Sequence, residues 1–278
     1  MPAGTLFVVA TPLGHLGDLT GRAAELLRVV PVVAAEDTRH TKGLLAHLGA
    51  RPRLLSFHAH SPDHRIATLL EILLSGKDVA LVTDAGTPAI SDPGADLAAA
   101  VRAAGVSVVP IPGVSAVTAA LSVAGFPADR YLFLGFLPRR GKERGRLLQL
   151  AATSEWTVVL YEAPPRLVTL LEDLAALTGG ARRVVVAREL TKVFEEVRAN
   201  SLAQAAAHYG AHPPRGELTI VLEGSGGETS PVAAGPGAAA LAVELLAGGM
   251  SRRGIIQELT KTAGIPRNQA YRIVMELP

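Results

Sequence analysis

One stretch, Val79 to Gly94, constrains the fold more than any other part of the 278-residue sequence. Its first four residues are apolar and predict a short buried strand. The strand runs into a loop that holds two carboxylates, two glycines and two prolines: Asp84, Asp92, Gly86, Gly94, Pro88 and Pro93. Open α/β sheets bind ligands at the carboxyl ends of their strands. By itself the loop is equally compatible with a ligand-binding surface and with a long connection rich in turn residues.

Short apolar strands alternate with amphipathic helices along most of the chain. This pattern in both halves predicts two α/β domains, residues 1–112 and 113–224, with a cleft between them. A linker is predicted at 225–237, followed by a small helical unit at 238–278, whose two helices around Ala263-Gly264-Ile265 resemble a helix-turn-helix. The predicted strands are 6–10, 32–35, 54–57, 79–82, 106–109, 131–136, 157–161, 183–187, 193–198 and 217–222.

Composition excludes several classes of protein. Apolar residues make up 49% of the chain, which argues against disorder, and the absence of cysteine excludes disulfides, thiolate metal sites and cysteine nucleophiles. The longest uncharged run, 103–128, is interrupted by three prolines and three glycines, so it predicts part of a water-soluble core and not a membrane span. The first residues lack the basic flank of a signal peptide, which predicts a cytoplasmic protein.

Positive charge is concentrated in two segments, although the net charge is only +2. Either segment alone is typical of a solvated face, but two in one chain favour a polyanionic partner such as a nucleic acid. The basic residues are Arg139, Arg140, Lys142, Arg144 and Arg146 in the first segment, and Arg252, Arg253, Lys261, Arg267 and Arg272 in the second.

Polar residues also follow the other predicted strands. The first strand ends in TPLGHLGDLT, which is neither a dinucleotide fingerprint nor a Walker motif. The second ends in EDTRHTK, where Glu36 and Asp37 could bind ribose hydroxyls and Arg39 a phosphate, or where Asp37 or Thr38 could simply cap a helix. His58 and His60 share one face of an extended segment, but no third ligand follows at a suitable spacing, so no metal site is predicted.

Nine motifs occur in a familiar order and spacing: TPLGHLGDLT, AEDTRHT, SFHAH, TDAGTPAISDPG, IPGVSA, FLGFLPR, YEAPPR, ARELTK and GELTIVLEG. From residue 6 to residue 224 the chain resembles the tetrapyrrole methylase superfamily, and within it the ribosomal RNA small subunit methyltransferase I family. That family transfers a methyl group from S-adenosylmethionine to the ribose 2′-hydroxyl of a decoding-centre cytidine in 16S rRNA. Two positions depart from the family pattern: Ser61 stands in place of asparagine, and Pro165 in place of histidine.

The resemblance implies that S-adenosylmethionine binds in the cleft and that the partner is 16S rRNA in the small ribosomal subunit. It also implies a homodimer. Arg39 and both basic segments would bind RNA phosphates. The side chains and loops implied to hold the cofactor are Pro12, Asp84, Gly86, Thr87, Ile90, Ser115, Ala116, Tyr161, Ala187, Glu217 and Leu218.

A ribose hydroxyl is a poor nucleophile at neutral pH, so a nearby base would assist its methylation. The candidates, which the sequence does not rank, are Asp37, His58, His60, Asp84 and Asp92. One alternative within the superfamily is methylation of a tetrapyrrole precursor. A second alternative, from another class, is a ligand-sensing regulator that binds duplex DNA through the helical tail without turnover. The AEDTR and FLPR motifs favour the RNA methyltransferase.

Overall fold

The computed structural model of the protein describes residues 2–59, 61, 64–226, 236–262, 270 and 273–275, with side chains omitted at 236–240 and 260–262. The chain divides into two compact units, Met1–Gly224 and Ser225–Pro278. Among the described residues, no helix is both long enough and apolar enough to cross a bilayer. Both predicted α/β regions therefore belong to the first unit.

The first half of this unit is a five-stranded parallel sheet in the order β3-β2-β4-β1-β5. Every residue of β2 and β4 is buried, because helices cover both faces of the sheet and the strands are therefore apolar throughout. The strands are β1 (Thr5–Val9), β2 (Val32–Ala35), β3 (Arg53–Ser56), β4 (Val79–Val82) and β5 (Ser107–Ile111).

Four helices cover this sheet: α1 (Gly21–Val29), α2 (Thr38–His47), α3 (His64–Leu74) and α4 (Ala95–Ala103). One core lies under α1 and α2 and contains Leu27 and Leu44, and the other lies under α3 and α4 and contains Leu69 and Leu97. α1 begins where the Thr20 hydroxyl accepts a hydrogen bond from the Ala23 N–H at 3.2 Å.

The second half is a mixed sheet in the order β6-β7-β10-β8-β9, in which β6 and β7 are parallel and the remaining pairs are antiparallel. Helix α5 (Ala116–Ala124) covers one face, and the other face packs against α6 (Lys142–Thr153), α7 (Leu167–Thr178) and α8 (Leu202–Ala211). The strands are β6 (Tyr131–Phe136), β7 (Thr157–Glu162), β8 (Arg183–Arg188), β9 (Glu196–Ser201) and β10 (Leu218–Leu222).

The predicted strand at 193–198 is wrong in its position, because β9 begins three residues later. Val193 and Phe194 suggested a strand by composition, yet their side chains are exposed in a loop. The backbones of Glu189 and Thr191 adopt φ values of +51° and +64°, in the left-handed region, so the chain turns before it can pair with β8.

The C-terminal unit contains α9 (Pro236–Ala247) and α10 (Arg252–Thr262). Its apolar core is formed by Ala242, Ile255, Leu259, Ala270 and Val274. The predicted turn at 263–265 and most of the predicted helix at 266–277 lie outside the described residues, as do Arg267 and Arg272. The helix-turn-helix therefore stays a prediction.

Candidate active site

The loop after β4 is held in place by neighbouring backbone. Thr11 and Gly86 exchange two backbone hydrogen bonds, of 2.8 and 3.0 Å, and the Thr87 hydroxyl donates to the Val114 carbonyl at 3.1 Å. Ala89 and Ser91 adopt φ values of +68° and +64°, which cost energy for residues with a side chain and commonly mark functional sites. The backbone of the loop is therefore held in place, as a ligand-binding surface, one of the two interpretations of its turn residues, requires.

A cavity of about 390 Å³ lies between the two sheets, and this loop forms one side of it. That volume is within the range of small-molecule sites. The lining from the first half is Leu13, Glu36, Thr83, Asp84, Ala85, Gly86, Thr87, Ile90, Ser91 and Asp92. The lining from the second half is Ser115, Ala116, Phe136, Tyr161, Glu162, Ala163, Pro164, Gly216, Glu217, Leu218 and Thr219.

Most residues that the sequence assigned to cofactor binding meet at this cavity. Pro12 and Ala187 do not: both are buried outside the lining, and Ala187 belongs to the apolar core beside α5. Their roles, and those of the residues that do line the cavity, stay predictions. The assigned residues in the lining are Asp84, Gly86, Thr87, Ile90, Ser115, Ala116, Tyr161, Glu217 and Leu218.

Three carboxylates from the first half of the unit line the cavity: Glu36, Asp84 and Asp92. Glu36 accepts a hydrogen bond from the Thr83 hydroxyl at 2.5 Å, and Asp84 accepts one from the Asp37 N–H at 3.1 Å. Burial raises the pKa of Asp84, and burial together with the charge of Glu36 raises the pKa of Asp92 to about 6. Such a group of acids favours a bound cation, and Asp92 can exchange a proton near neutral pH.

The remaining candidate bases lie elsewhere. Asp37 caps α2 by accepting the Arg39 N–H at 2.7 Å, and its ion pair with the Arg39 guanidinium holds its pKa well below the usual range. His58 is exposed outside the lining, and His60 lies outside the described residues. Asp84 and Asp92 are therefore the two candidates that the structure brings to the cavity.

The two departures from the family motifs both lie in turns. The Ser61 hydroxyl accepts a hydrogen bond from the His58 N–H at 2.8 Å, while the Ser61 N–H donates to the His58 carbonyl at 2.8 Å. Pro165 lies in a short 3₁₀ turn, Pro164–Arg166, that leads into α7. In this chain, Ser61 and Pro165 therefore both contribute to the backbone conformation of a turn.

Two aromatic rings, those of Phe136 and Tyr161, form the aromatic wall of the cavity, and the segment 84–92 after β4 forms its acidic loop. Tyr161 lies 5.4 Å from Phe136 between ring centroids, and Phe133 packs edge-on against Tyr161 at 5.1 Å. Burial, with a smaller effect from the negative charge of Asp92, raises the pKa of Tyr161 to about 12. The phenol therefore stays protonated at physiological pH and can donate a hydrogen bond.

The amino end of α5 provides a different kind of surface. Ser115 is the N-cap residue, but its side chain makes no capping hydrogen bond, and both Ser115 and Ala116 line the cavity. The first N–H groups of a helix have no partner within the helix, and they favour a carboxylate or a phosphate. The cavity therefore has carboxylates on one side and, at the amino end of α5, N–H groups that suit a negatively charged group.

The five basic residues of the segment 139–146 have different environments. Arg144 is largely buried, with its side chain 12% exposed, and pairs with Asp173 at 2.6 Å, while Arg146 pairs with Glu143 at 2.7 Å. Arg139, Arg140 and Lys142 are exposed, and none of them has an ion pair within the described part of the chain. Three of the five therefore remain available to a partner, a distinction that charge counting could not make.

Sequence reasoning missed some of the residues at the cavity. It treated Glu36 as an acid for a ribose without placing it beside Asp92, because strand order is not visible in a sequence. It gave no role to Phe136 or Thr83, although FLGFLPR was among the recognised motifs. The signal that could have indicated Phe136 was its position as an aromatic residue three residues before Arg139, the start of the basic segment.

The chain is similar to proteins of one family along most of its length. Residues 5–206 match the family model of tetrapyrrole (corrin/porphyrin) methylases. It is 42% identical over 274 residues to the ribosomal RNA small subunit methyltransferase I of Synechocystis sp., covering 99% of this chain and 98% of that protein. It is 48% identical over 224 residues to the protein of the same name from Xylella fastidiosa, covering 80% and 82%.

A solved structure shares the fold. Uroporphyrin-III C-methyltransferase from Thermus thermophilus, complexed with S-adenosylhomocysteine, superposes with a TM-score of 0.59 at 20% identity, covering 79% of this chain and 97% of that one.

Proposed function

This chain belongs to the tetrapyrrole methylase family and, within it, to the ribosomal RNA small subunit methyltransferase I group, and on that premise we propose that it methylates RNA of the small ribosomal subunit, with S-adenosylmethionine as the donor. The observation that carries the proposal is the similarity to the Synechocystis protein over 99% of the chain, which includes every residue that lines the cavity.

The cavity suits S-adenosylmethionine in charge as well as in volume. The cofactor supplies an electrophilic methyl group on a positively charged sulfonium. Glu36, Asp84 and Asp92 would stabilise its positive charges, and the amino end of α5, at Ser115, would hold its carboxylate. The Thermus protein of the same fold was solved with S-adenosylhomocysteine, the demethylated form of this cofactor.

For the acceptor, we infer the ribose 2′-hydroxyl of a decoding-centre cytidine in 16S rRNA, as the motifs of the family imply. The protein must align the hydroxyl with the donor and exclude water, and this positioning can supply much of the rate acceleration. Asp92, with a pKa of about 6, is suited to accept the hydroxyl proton, because at pH 7 it is mostly ionised and still basic.

Exposed cations beside the cavity support an RNA acceptor. Arg139, Arg140 and Lys142 follow Phe136, a lining residue, by only three to six positions. Such residues neutralise phosphates and make binding depend on salt. The C-terminal unit, with Arg252 and Arg253 exposed, would extend the RNA contact. We also expect the protein to be a homodimer located in the cytoplasm. Light scattering of the purified protein would test the oligomeric state.

The test is transfer of labelled methyl from S-adenosylmethionine to small ribosomal subunits from cells that lack the gene. Nuclease digestion and mass spectrometry then identify the modified nucleotide. A 2′-O-methylcytidine in the decoding region is the expected product, and subunits from cells that carry the gene should accept no label at that position. Unlabelled subunits, with cofactor binding intact, would contradict the RNA assignment, and labelling of a tetrapyrrole precursor would then support the alternative.

A further inference from the structure

We propose that Phe136 stacks on the nucleobase of the acceptor nucleotide and thereby fixes the position of its ribose in the cavity. The inference rests on the proposed function, which it extends to a substrate-binding residue. Phe136 lines the cavity, yet the residue is 55% exposed. An aromatic ring that lines a cavity containing carboxylates and is about half exposed to water is available to a ligand that enters from solvent.

An irregularity in β6 places the ring there. Leu132 and Leu134 pack into the core beneath α6 and α7, and Phe133 packs on the opposite face, towards α5. Strict alternation would place residue 136 on the face of Leu134, away from the cavity. The β6–β7 register shifts between Phe133 and Phe136, so that Phe136 lies opposite Tyr161 and not opposite Glu162. One extra residue thus moves the ring to the cavity face.

Gly135 makes this shift possible. Its φ of +59° lies in the left-handed region, and a Cβ atom at this position would lie 2.8 Å from the Ser91 hydroxyl oxygen. A residue without a side chain therefore permits both the bulge and the close approach of β6 to the acidic loop.

Two arginines donate hydrogen bonds to the backbone that directly follows Phe136. Arg166 donates to the Leu137 carbonyl at 2.6 Å, and Arg144 donates to the Pro138 carbonyl at 3.3 Å. Arg166 also pairs with Glu162 at 3.2 Å, and Leu137 is 1% exposed. The ring is thus presented from a fixed backbone, which lowers the entropy lost when a base stacks on it.

The surroundings of the ring favour a nucleobase. The Cα of Arg139 is three residues further on, hence within about 11 Å of the Cα of Phe136, and Arg140 and Lys142 follow. Aromatic rings beside exposed cations are how proteins commonly hold unpaired nucleotides: the ring stacks on the base while the cations contact the phosphates. A ribose that reaches the cavity must belong to a nucleotide turned out of its stack, so its base needs a new partner.

The experiment compares Phe136→Ala, Phe136→Leu and Phe136→Trp in the full-length protein. The readouts are kcat/KM for undermethylated small subunits and the Kd of S-adenosylhomocysteine by calorimetry. Tyr131→Ala is the matched control, because Tyr131 is an exposed aromatic residue at the other end of β6, outside the lining. Thermal melting of each variant confirms that the fold is retained.

We expect the alanine and leucine variants to lose about 5- to 150-fold in kcat/KM for subunits, the range implied by alanine substitution of stacking residues. The tryptophan variant should stay within about threefold of wild type, and the cofactor Kd should change by less than about twofold in all of them. Leucine keeps the apolar bulk but has no π face, so full activity of Phe136→Leu would overturn stacking. A cofactor Kd that weakens in parallel would instead assign Phe136 to the cofactor.

The two proposals can fail separately. If wild-type protein methylates subunits and Phe136→Ala equals it, only the stacking proposal is overturned. If wild-type protein labels no RNA while it binds cofactor, the proposed function fails and the stacking proposal with it.

Discussion

Asp92 shows how one residue can serve a site at the expense of stability. It lies in the acidic loop near Glu36, and burial raises its pKa to about 6. In the unfolded chain an aspartate has a pKa near 4. Ionised Asp92 therefore opposes folding. The stability that comes with protonated Asp92 is fully present below about pH 4 and is lost as the pH rises through about 6. Groups that are costly to the fold in this way commonly belong to functional sites.

Asp92→Asn should therefore be more stable than wild type at pH 7.5. The asparagine removes a partly buried charge, and after allowance for solvent screening we expect a gain of about 1 kcal/mol in the free energy of unfolding. Urea unfolding at pH 7.5 and pH 4.5 measures it, and the gain should shrink at the lower pH. Asp129→Asn, at an exposed position outside the cavity, is the control. Equal stabilisation at both pH values would refute the explanation.

The same carboxylate should shape the pH dependence of methyl transfer. If ionised Asp92 is needed, either to stabilise the donor or to accept a proton, kcat/KM should fall below about pH 6 by about tenfold per pH unit. Initial rates between pH 5 and pH 8.5 would show this limb. Asp92→Asn should be slower throughout and should lack it. A wild-type profile that stays flat down to pH 5 would exclude this role.

At the scale of elements, Arg166 connects the ends of β6 and β7, because it pairs with the buried Glu162 of β7 and donates a hydrogen bond to the Leu137 carbonyl just after β6. The Glu162 side chain is fully buried, and its Oε2 has no hydrogen-bond partner in the part of the chain that the structure describes. Oε1 pairs with Arg166 at 3.2 Å and accepts the Ala163 N–H at 2.8 Å. Removing one member of such a pair leaves a buried charge without compensation. The contact therefore stabilises the ends of β6 and β7, the two strands that carry Phe136 and Tyr161.

Arg166→Ala should lower the free energy of unfolding by about 3 kcal/mol, because it leaves Glu162 buried and unpaired and frees the Leu137 carbonyl. The double variant Arg166→Ala/Glu162→Gln should recover part of this loss, since the unpaired charge is then removed. Arg146→Ala, which breaks only the exposed pair with Glu143, should cost less than about 1 kcal/mol. Urea titrations of wild type, Arg166→Ala, Glu162→Gln and the double variant form a double-mutant cycle, and additive losses would disprove the coupling.

At the scale of the whole molecule, the cavity is contained in a single compact unit. All of its lining residues lie between Leu13 and Thr219, and the unit ends at Gly224. The two sheets contribute similar shares of the lining, so neither sheet forms the site without the other. The C-terminal unit has an apolar cluster of its own, around Ile255 and Leu259.

Residues 1–224, produced alone, should therefore fold cooperatively and bind S-adenosylhomocysteine within about twofold of the full-length Kd. Circular dichroism melting and calorimetry measure the two properties. RNA binding should weaken in the fragment, because Arg252 and Arg253 are removed with the tail. A fragment that aggregates, or that loses more than about tenfold in cofactor affinity, would show that the tail is required for the site.

The sequence by itself determined most of the elements and the family, because both depend on local pattern. Apolar runs bounded by turn residues predicted β2, β4 and β6 at their observed bounds, and Asp37 was recognised as one of two candidate caps for α2. The error at 193–198 arose where the backbone angles of Glu189 and Thr191 overrode composition.

Only the tertiary structure decided which residues meet. Strand order brings Glu36 beside Asp84 and Asp92, pairing with Asp173 removes Arg144 from the free cations, and a register shift of one residue turns Phe136 towards the cavity. Each of these depends on contacts between segments that are distant in the chain or on a shift that breaks the local period. A pattern of neighbouring residues carries no information about either, and so the site became visible only in the fold.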